Sequence, residues 1–144
     1  MRGKPRVFVG ATTCFAVLLI SAFASGSAHA QGSAAMLRLL KSGRLPDERL
    51  GTVVELICLR GSAEELEYIF DRALEPKGFL PATRMTALQG LARATTSRKV
   101  RPTGDLNRLQ SLLADPNPRV RRLAIRLAGL WRVPSLGESL QAMV

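Results

Sequence analysis

Arg119, Arg122 and Arg126 stand three and four residues apart, a spacing that on a helix puts three guanidinium groups on one face. Each is a rigid fork of N–H donors that fits a carboxylate, phosphate or sulfate edge-on. An arginine also recurs at 35-residue intervals in Arg49, Arg84 and Arg119, so units stacked in register would line these three into a row. Arg98, Lys99 and Arg101 form a second basic run. Together these residues are the candidate footprint for an anionic partner. The competing expectation is a solvated face, with arginine stems lying over the surface and pairing with nearby Glu and Asp.

Groups that could turn over a substrate are scarce. The single histidine, His29, falls inside a segment expected to be removed on export. Cys58 follows Ile57 in a Leu- and Val-rich stretch, where a small buried thiol is the expected state. Glu64, Glu65, Glu67 and Asp71 share a helical stretch and read as a solvated face, and no glycine-rich phosphate loop is present. The expectation is a chain that is not an enzyme and holds no cofactor or metal.

The N-terminus predicts the compartment. Residues 1–30 contain no acid, open with Arg2, Lys4 and Arg6, continue apolar from Val7 to Ala24, and end in Ser-Gly-Ser-Ala-His-Ala. This is the pattern of a cleavable secretory signal, with Ala28 and Ala30 as the small residues before a cut near Gln31. An uncleaved anchor is the alternative reading. Export would place residues 31–144 in the periplasm or outside the cell, where the membrane is met only through the signal segment, and Cys58, its one cysteine, can form no internal disulfide. Charge is uneven along that region: residues 31–80 carry 7 Lys/Arg against 8 Asp/Glu, and residues 81–144 carry 11 against 3. The basic character is concentrated in the second half.

The elements that would position the arginines follow from apolar spacing. Pro46, Pro81 and Pro116 are 35 residues apart, and each is followed at +4, +7 and +11 by apolar residues: Leu50, Val53 and Ile57; Met85, Leu88 and Ala92; Val120, Leu123 and Leu127. Those offsets trace one helical face. A unit of this length cannot bury its stripe alone, so the prediction is all-α: an alpha-alpha superhelix in which helix pairs over about 46–76, 81–114 and 116–143 stack behind a leading helix. The leading helix is expected over Ala34–Ser42, with Met36, Leu39 and Leu40 inward and Gly43 at its end, after a flexible start at 31–33. Pro46 should open the next helix and Gly61 end it. Ser62 and Glu65 then form a capping box for Ala63–Leu74. A helix from Pro81 to about Thr95 precedes a long basic loop, Thr96–Gly104, and a helix from Asp105 to about Ala114. Asp115 is expected to cap the helix that reaches Trp131, and Pro134 to break into a last short one.

The stretch Asp115-Pro116-Asn-Pro-Arg-Val120-Arg121-Arg-Leu-Ala124 resembles the HEAT-repeat (armadillo-like) signature. That resemblance implies an Asp that caps the first helix, Val120 and Ala124 as a small inner ridge, and Arg121 as a bridge between successive repeats. The earlier pairs depart from it, with Leu45 and Leu80 at the Asp place and Gly51 and Thr86 at the Arg place. It implies a non-catalytic interaction module, with a protein as the expected partner and an anionic polymer as the second choice. Nucleic acid, which basic HEAT-like arrays resembling alkylpurine DNA glycosylases engage, is disfavoured by export and by the few aromatic residues free to stack. Leu136, Leu140 and Met143 form an apolar last helix that could self-associate. Residues 31–144 also resemble the HEAT region of bacterial exported c-type cytochromes, which implies a longer redox protein whose Cys-x-x-Cys-His haem site lies beyond this chain; no residue here carries it.

Overall fold

The computed structural model of the chain describes residues 27–141. Its helices are α1 (Ser27–Lys41), α2 (Asp47–Arg60), α3 (Ala63–Leu74), α4 (Pro81–Arg98), α5 (Gln110–Leu113), α6 (Pro118–Trp131) and α7 (Pro134–Gln141), with a 3-10 turn at Leu106–Leu109 running into α5. There is no strand among the described residues. None of their helices is long and apolar enough to cross a membrane. Most of the expected export segment lies outside the described residues.

The first helix is longer than its apolar pattern predicts. Residues 31–33, expected to be a flexible start, are helical, and the predicted cut after Ala30 lies four residues into α1. Ala28, Ala30, Ala34 and Ala35 explain this, since alanine has the highest intrinsic helix propensity. Leu39 was expected to point inward but is half exposed, and Leu37 takes its place against the core beside Leu40. Gly43 follows the helix at φ +67°, the left-handed backbone that a helix end favours and that glycine adopts freely.

Local signals set α2 and α3 closely. Pro46 stands just outside α2, with Asp47 and Glu48 in the first turn where the helix dipole is positive. The capping box forms: Glu65 N donates to Ser62 Oγ at 3.3 Å, and Ser62 N donates to Glu65 Oε2 at 2.8 Å. From α3, Leu66, Ile69, Phe70 and Ala73 are buried and Leu74 is half buried.

Two segments depart from expectation. Helix α4 does not stop at Thr95; it continues through Thr96, Ser97 and Arg98 and ends in a left-handed Lys99. The three hydroxyls of Thr95, Thr96 and Ser97 donate to carbonyls one turn back, at 3.0, 3.1 and 2.7 Å, so the polar groups of this run are satisfied within the helix. The predicted helix at 105–114 is instead a 3-10 turn followed by a single α turn, still burying Leu109 and Leu112.

The three prolines also hold different places. Pro46 precedes its helix, Pro81 is the first residue of α4, and Pro116 lies in the turn before α6, whose first residue is Pro118. Asn117, not Asp115, caps α6, accepting from Arg119 N at 2.9 Å. The buried positions of α6, Val120, Ala124, Leu127, Ala128 and Trp131, therefore match Thr83, Ala87, Gly90, Leu91 and Ala94 of α4, all buried too, with a spacing of 37 residues.

Helix α2 packs on α1, α3 and α4, while α4 packs on α2, α3 and α6, and α6 on α4 and α5. Helix α4 is thus covered on several sides, and Thr83, Ala87, Gly90, Ala92 and Ala94 keep it thin enough for its neighbours to approach. Trp131, at the end of α6, meets Phe70 of α3 edge to face, with centroids 5.2 Å apart, and donates from Nε1 to Thr95 Oγ1 at 2.8 Å.

Candidate functional site

The two basic groups expected to form a binding surface divide sharply in the structure. Arg119, Arg122 and Arg126 all project from the exposed face of α6. Among the described residues no carboxylate comes within ion-pair distance of them. Of their three side chains, only that of Arg122 makes a hydrogen bond among the described residues, a long 3.4 Å donation from Nε to the Pro118 carbonyl. Arg49 on α2 is exposed as well, but Arg84 is not part of a row with it. Its guanidinium turns inward, donating to Ala73 O at 2.7 Å and to Asp115 Oδ2 at 2.8 Å, with both side chains largely buried. The predicted Arg49–Arg84–Arg119 ladder is broken at its middle rung because that rung ties α4 to the end of α3 and to the turn before α6.

Arg98, half buried, and Arg101, which stays exposed, are also bonded to backbone of the fold. Arg98 donates to the carbonyls of Gly61 and Cys58 at 3.0 and 2.8 Å, satisfying the open C-terminal end of α2. Arg101 does the same for α6 through the Trp131 carbonyl at 3.2 Å. Both place positive charge at the negative end of a helix dipole. Of that run only Lys99 stands exposed without a structural bond to a helix end.

The signature residues act differently from what the HEAT resemblance implies. Arg121 reaches the carbonyls of Asp115 and Pro116, at 2.7 and 3.2 Å, within its own turn and not across to another helix pair. Asp115 provides the cross-link instead, accepting from Arg84 on one oxygen and from Asn117 N on the other. Val120 and Ala124 are buried.

Beside the arginine ridge lies a shallow concavity of about 500 Å³, lined by Ile125, Ala128 and Gly129 of α6, Val133 of the turn, and Pro134 and Gly137 of α7. Ile125 is 44% exposed. Arg132, in the left-handed region at φ 51°, stands at its rim. Sequence reading missed this apolar strip, although the signal was present: position 125 lies three residues after Arg122 and next to Arg126, on the face already assigned to solvent. A second concavity, of about 590 Å³, lies between Glu75 and Pro76 at the end of α3 and Arg108 and Ser111 of the 3-10 and α5 segment. Its ions are matched, since Arg108 pairs with Asp71, and Arg72 with Glu75.

The remaining acids are largely occupied in the fold. Glu55 pairs with Arg93 across α2 and α4 at 2.9 Å, and Glu67 accepts from Thr103. The Ser62 hydroxyl donates to Glu64 and holds its carboxyl below the usual range. Among the described residues no three His, Cys, Asp or Glu side chains converge where a metal ion could sit.

Cys58 is buried, and desolvation pushes its thiol up to about 12, opposed by Arg98 and Arg93 and reinforced by Glu55. Because the folded value lies above the unfolded one, this thiol supports the fold fully below about pH 9. That support is lost as pH rises toward 12, where the unfolded chain releases a proton the folded chain keeps. Iodoacetamide at pH 8 should modify Cys58 roughly 100-fold more slowly in the folded chain than in urea, read by peptide mass spectrometry. The stability of Cys58→Ala should show less loss than wild type above pH 9. Equal alkylation rates would show the thiol to be open.

No protein-family model, curated protein or solved structure matches the chain.

Proposed function

We propose that the chain is an exported, non-catalytic interaction module that holds a protein or other anionic partner on the arginine face of α6. One observation carries the reading: Arg119, Arg122 and Arg126 lie together, exposed, and without ion-pair partners among the described residues. Other arginines of the second half, Arg84, Arg93, Arg98, Arg101, Arg108 and Arg121, are used in bonds within the fold. Three neighbouring guanidiniums left unpaired create a local positive field that attracts carboxylates and raises encounter rates at low salt.

The architecture behind this reading is a HEAT-like, right-handed superhelical stack, with α2, α4 and α6 as the first helices of three pairs and α1 as a leading cap. The order of packing, α2 on α4 and α4 on α6 with α1, α3 and α5 beside them, supports it. So does the Arg84–Asp115 cross-link between the second pair and the third.

The test uses the full chain with a C-terminal tag, expressed in a bacterial host. Fractionation should find it outside the cytoplasm, with an N-terminus at Gln31. A partner retained at about 50 mM salt should be released at about 500 mM, where exposed charges are screened. The triple replacement Arg119→Glu, Arg122→Glu and Arg126→Glu should abolish retention while leaving the circular dichroism unchanged. Retention equal to wild type in that variant would remove the arginine face from the function.

A further inference from the structure

The outer face of α6 combines two features that a purely ionic footprint would not need. Around the helix axis Arg122, Arg126 and Arg119 occupy one flank, and Ile125 with Gly129 occupies the strip beside them, opposite the buried Val120, Leu127 and Trp131. That strip opens into the apolar concavity floored by Ala128 and Val133, with Arg132 at its rim. We propose that this surface docks an acidic amphipathic helix of a partner protein, whose apolar side chain enters the concavity while its carboxylates face Arg122, Arg126 and Arg132. The inference rests on the arginine-face reading and deepens it by naming the partner's chemistry.

Three observations select this occupant. An anionic polymer could match the guanidiniums, but it carries no aliphatic group to cover Ile125, which stands 44% exposed on the strip beside them. A partner segment with leucine-like side chains spaced three and four apart, flanked by Glu and Asp, satisfies both features at once. Helix α6 has 14 residues, roughly 21 Å of straight surface, matching about four turns of a second helix laid along it. The surface offers side chains and no open sheet edge, so a partner must satisfy its own backbone, as a helix does.

The probe is a fluorescein-labelled peptide of about 18 residues built from Leu, Glu and Ala, with Leu along one helical face, titrated by fluorescence anisotropy against the full chain. A control peptide has the same composition with the Leu positions scrambled around the helix. The amphipathic peptide is expected to bind at least 10-fold more tightly than the control. Ile125→Ser, which changes no charge, should lower its affinity about 10-fold, and the pair Arg122→Glu with Arg126→Glu should lower it further. Circular dichroism and thermal melts of each variant confirm that the fold is retained. Equal binding of the two peptides, or full affinity in Ile125→Ser, overturns the inference while leaving the ionic reading standing. Preferential binding to vesicles rich in phosphatidylglycerol, lost in Ile125→Ser, would assign the surface to a membrane and also overturn it. Failure of every probe to bind removes the helix-docking inference, whereas the broader reading fails on the tagged-chain retention experiment.

Discussion

Replacing Gly90 by valine is expected to lower the stability of the fold by about 3 kcal/mol, an urea midpoint shift that far exceeds any surface substitution. Gly90 lies in the middle of α4, where an alanine would ordinarily be better by about 1 kcal/mol. Here a Cβ would come within 2.8 Å of both Cβ and Sγ of Cys58, on the helix against which α4 packs. A Cβ is fixed to its backbone, so the clash cannot be relieved by a rotamer change, and the two helices must separate. Gly90→Ala should therefore destabilise despite its better propensity, and Gly90→Val more so because of its two methyl groups. Gly51, also inside a helix, has nothing within 4 Å of its would-be Cβ, and Gly51→Ala should stabilise by about 0.5–1 kcal/mol. Opposite signs from the same substitution, read in parallel urea melts, isolate the contact from propensity. Adding Cys58→Gly to Gly90→Ala should recover part of the loss, with a coupling of about 1 kcal/mol or more. Additive effects would mean that α2 and α4 are not in contact at this point.

The same contact shows where sequence reading reaches and where it stops. Glycine at position 90 gives no sign in the sequence of being a crossing point, because the reason for it is on another helix. Ser62 and Glu65 could be read directly, since both partners of a capping box lie within four residues. The ends of α2 and α3 and the C-terminal end of α6 are legible for the same reason: proline, glycine and cap side chains act locally. The stripe of α4 was harder, because a helix covered on several sides has no single apolar face, and its buried Thr83, Ala87 and Ala94 are small and only weakly hydrophobic. Counting from Pro116 misplaces the register of α6 by two residues, and Asn117 followed by Pro118 is the stronger start signal.

The candidate site was legible in part. Spacing alone put Arg119, Arg122 and Arg126 on one face, and the structure keeps them there. Spacing could not tell that Arg84, Arg98 and Arg101 are used internally, since their acceptors are carbonyls at helix ends 11, 37 and 40, and 30 residues away. A guanidinium that satisfies a helix end and one that waits for a partner are the same letter.

Trp131→Ala is the other large loss expected, about 3–5 kcal/mol, because it empties a site closed on all sides where the indole stacks edge to face on Phe70. Trp131 is the chain's one tryptophan, so wild-type unfolding can be followed by its fluorescence and the variant's by circular dichroism. Apolar volume and the polar handle can be separated. Trp131→Phe keeps a ring against Phe70 but removes the donor to Thr95 Oγ1, and should cost less than the alanine change. Thr95→Val leaves the indole N–H buried without an acceptor, which costs about 1–3 kcal/mol. Combining Trp131→Phe with Thr95→Val removes both partners, so the double variant should lose less than the sum of the single ones. The Thr95 hydroxyl can still turn to the Leu91 or Val100 carbonyl, so Trp131→Phe alone leaves no orphan on the α4 side. The asymmetry has a structural consequence: the end of α6 is held to α3 through the ring and to α4 through the N–H. Trp131→Ala should therefore loosen α6 before the rest, seen as faster amide exchange in α6 than in α2 and α3. If α6 and α2 lose protection together, the arginine face is part of one cooperative unit, and Trp131 locks the whole of it.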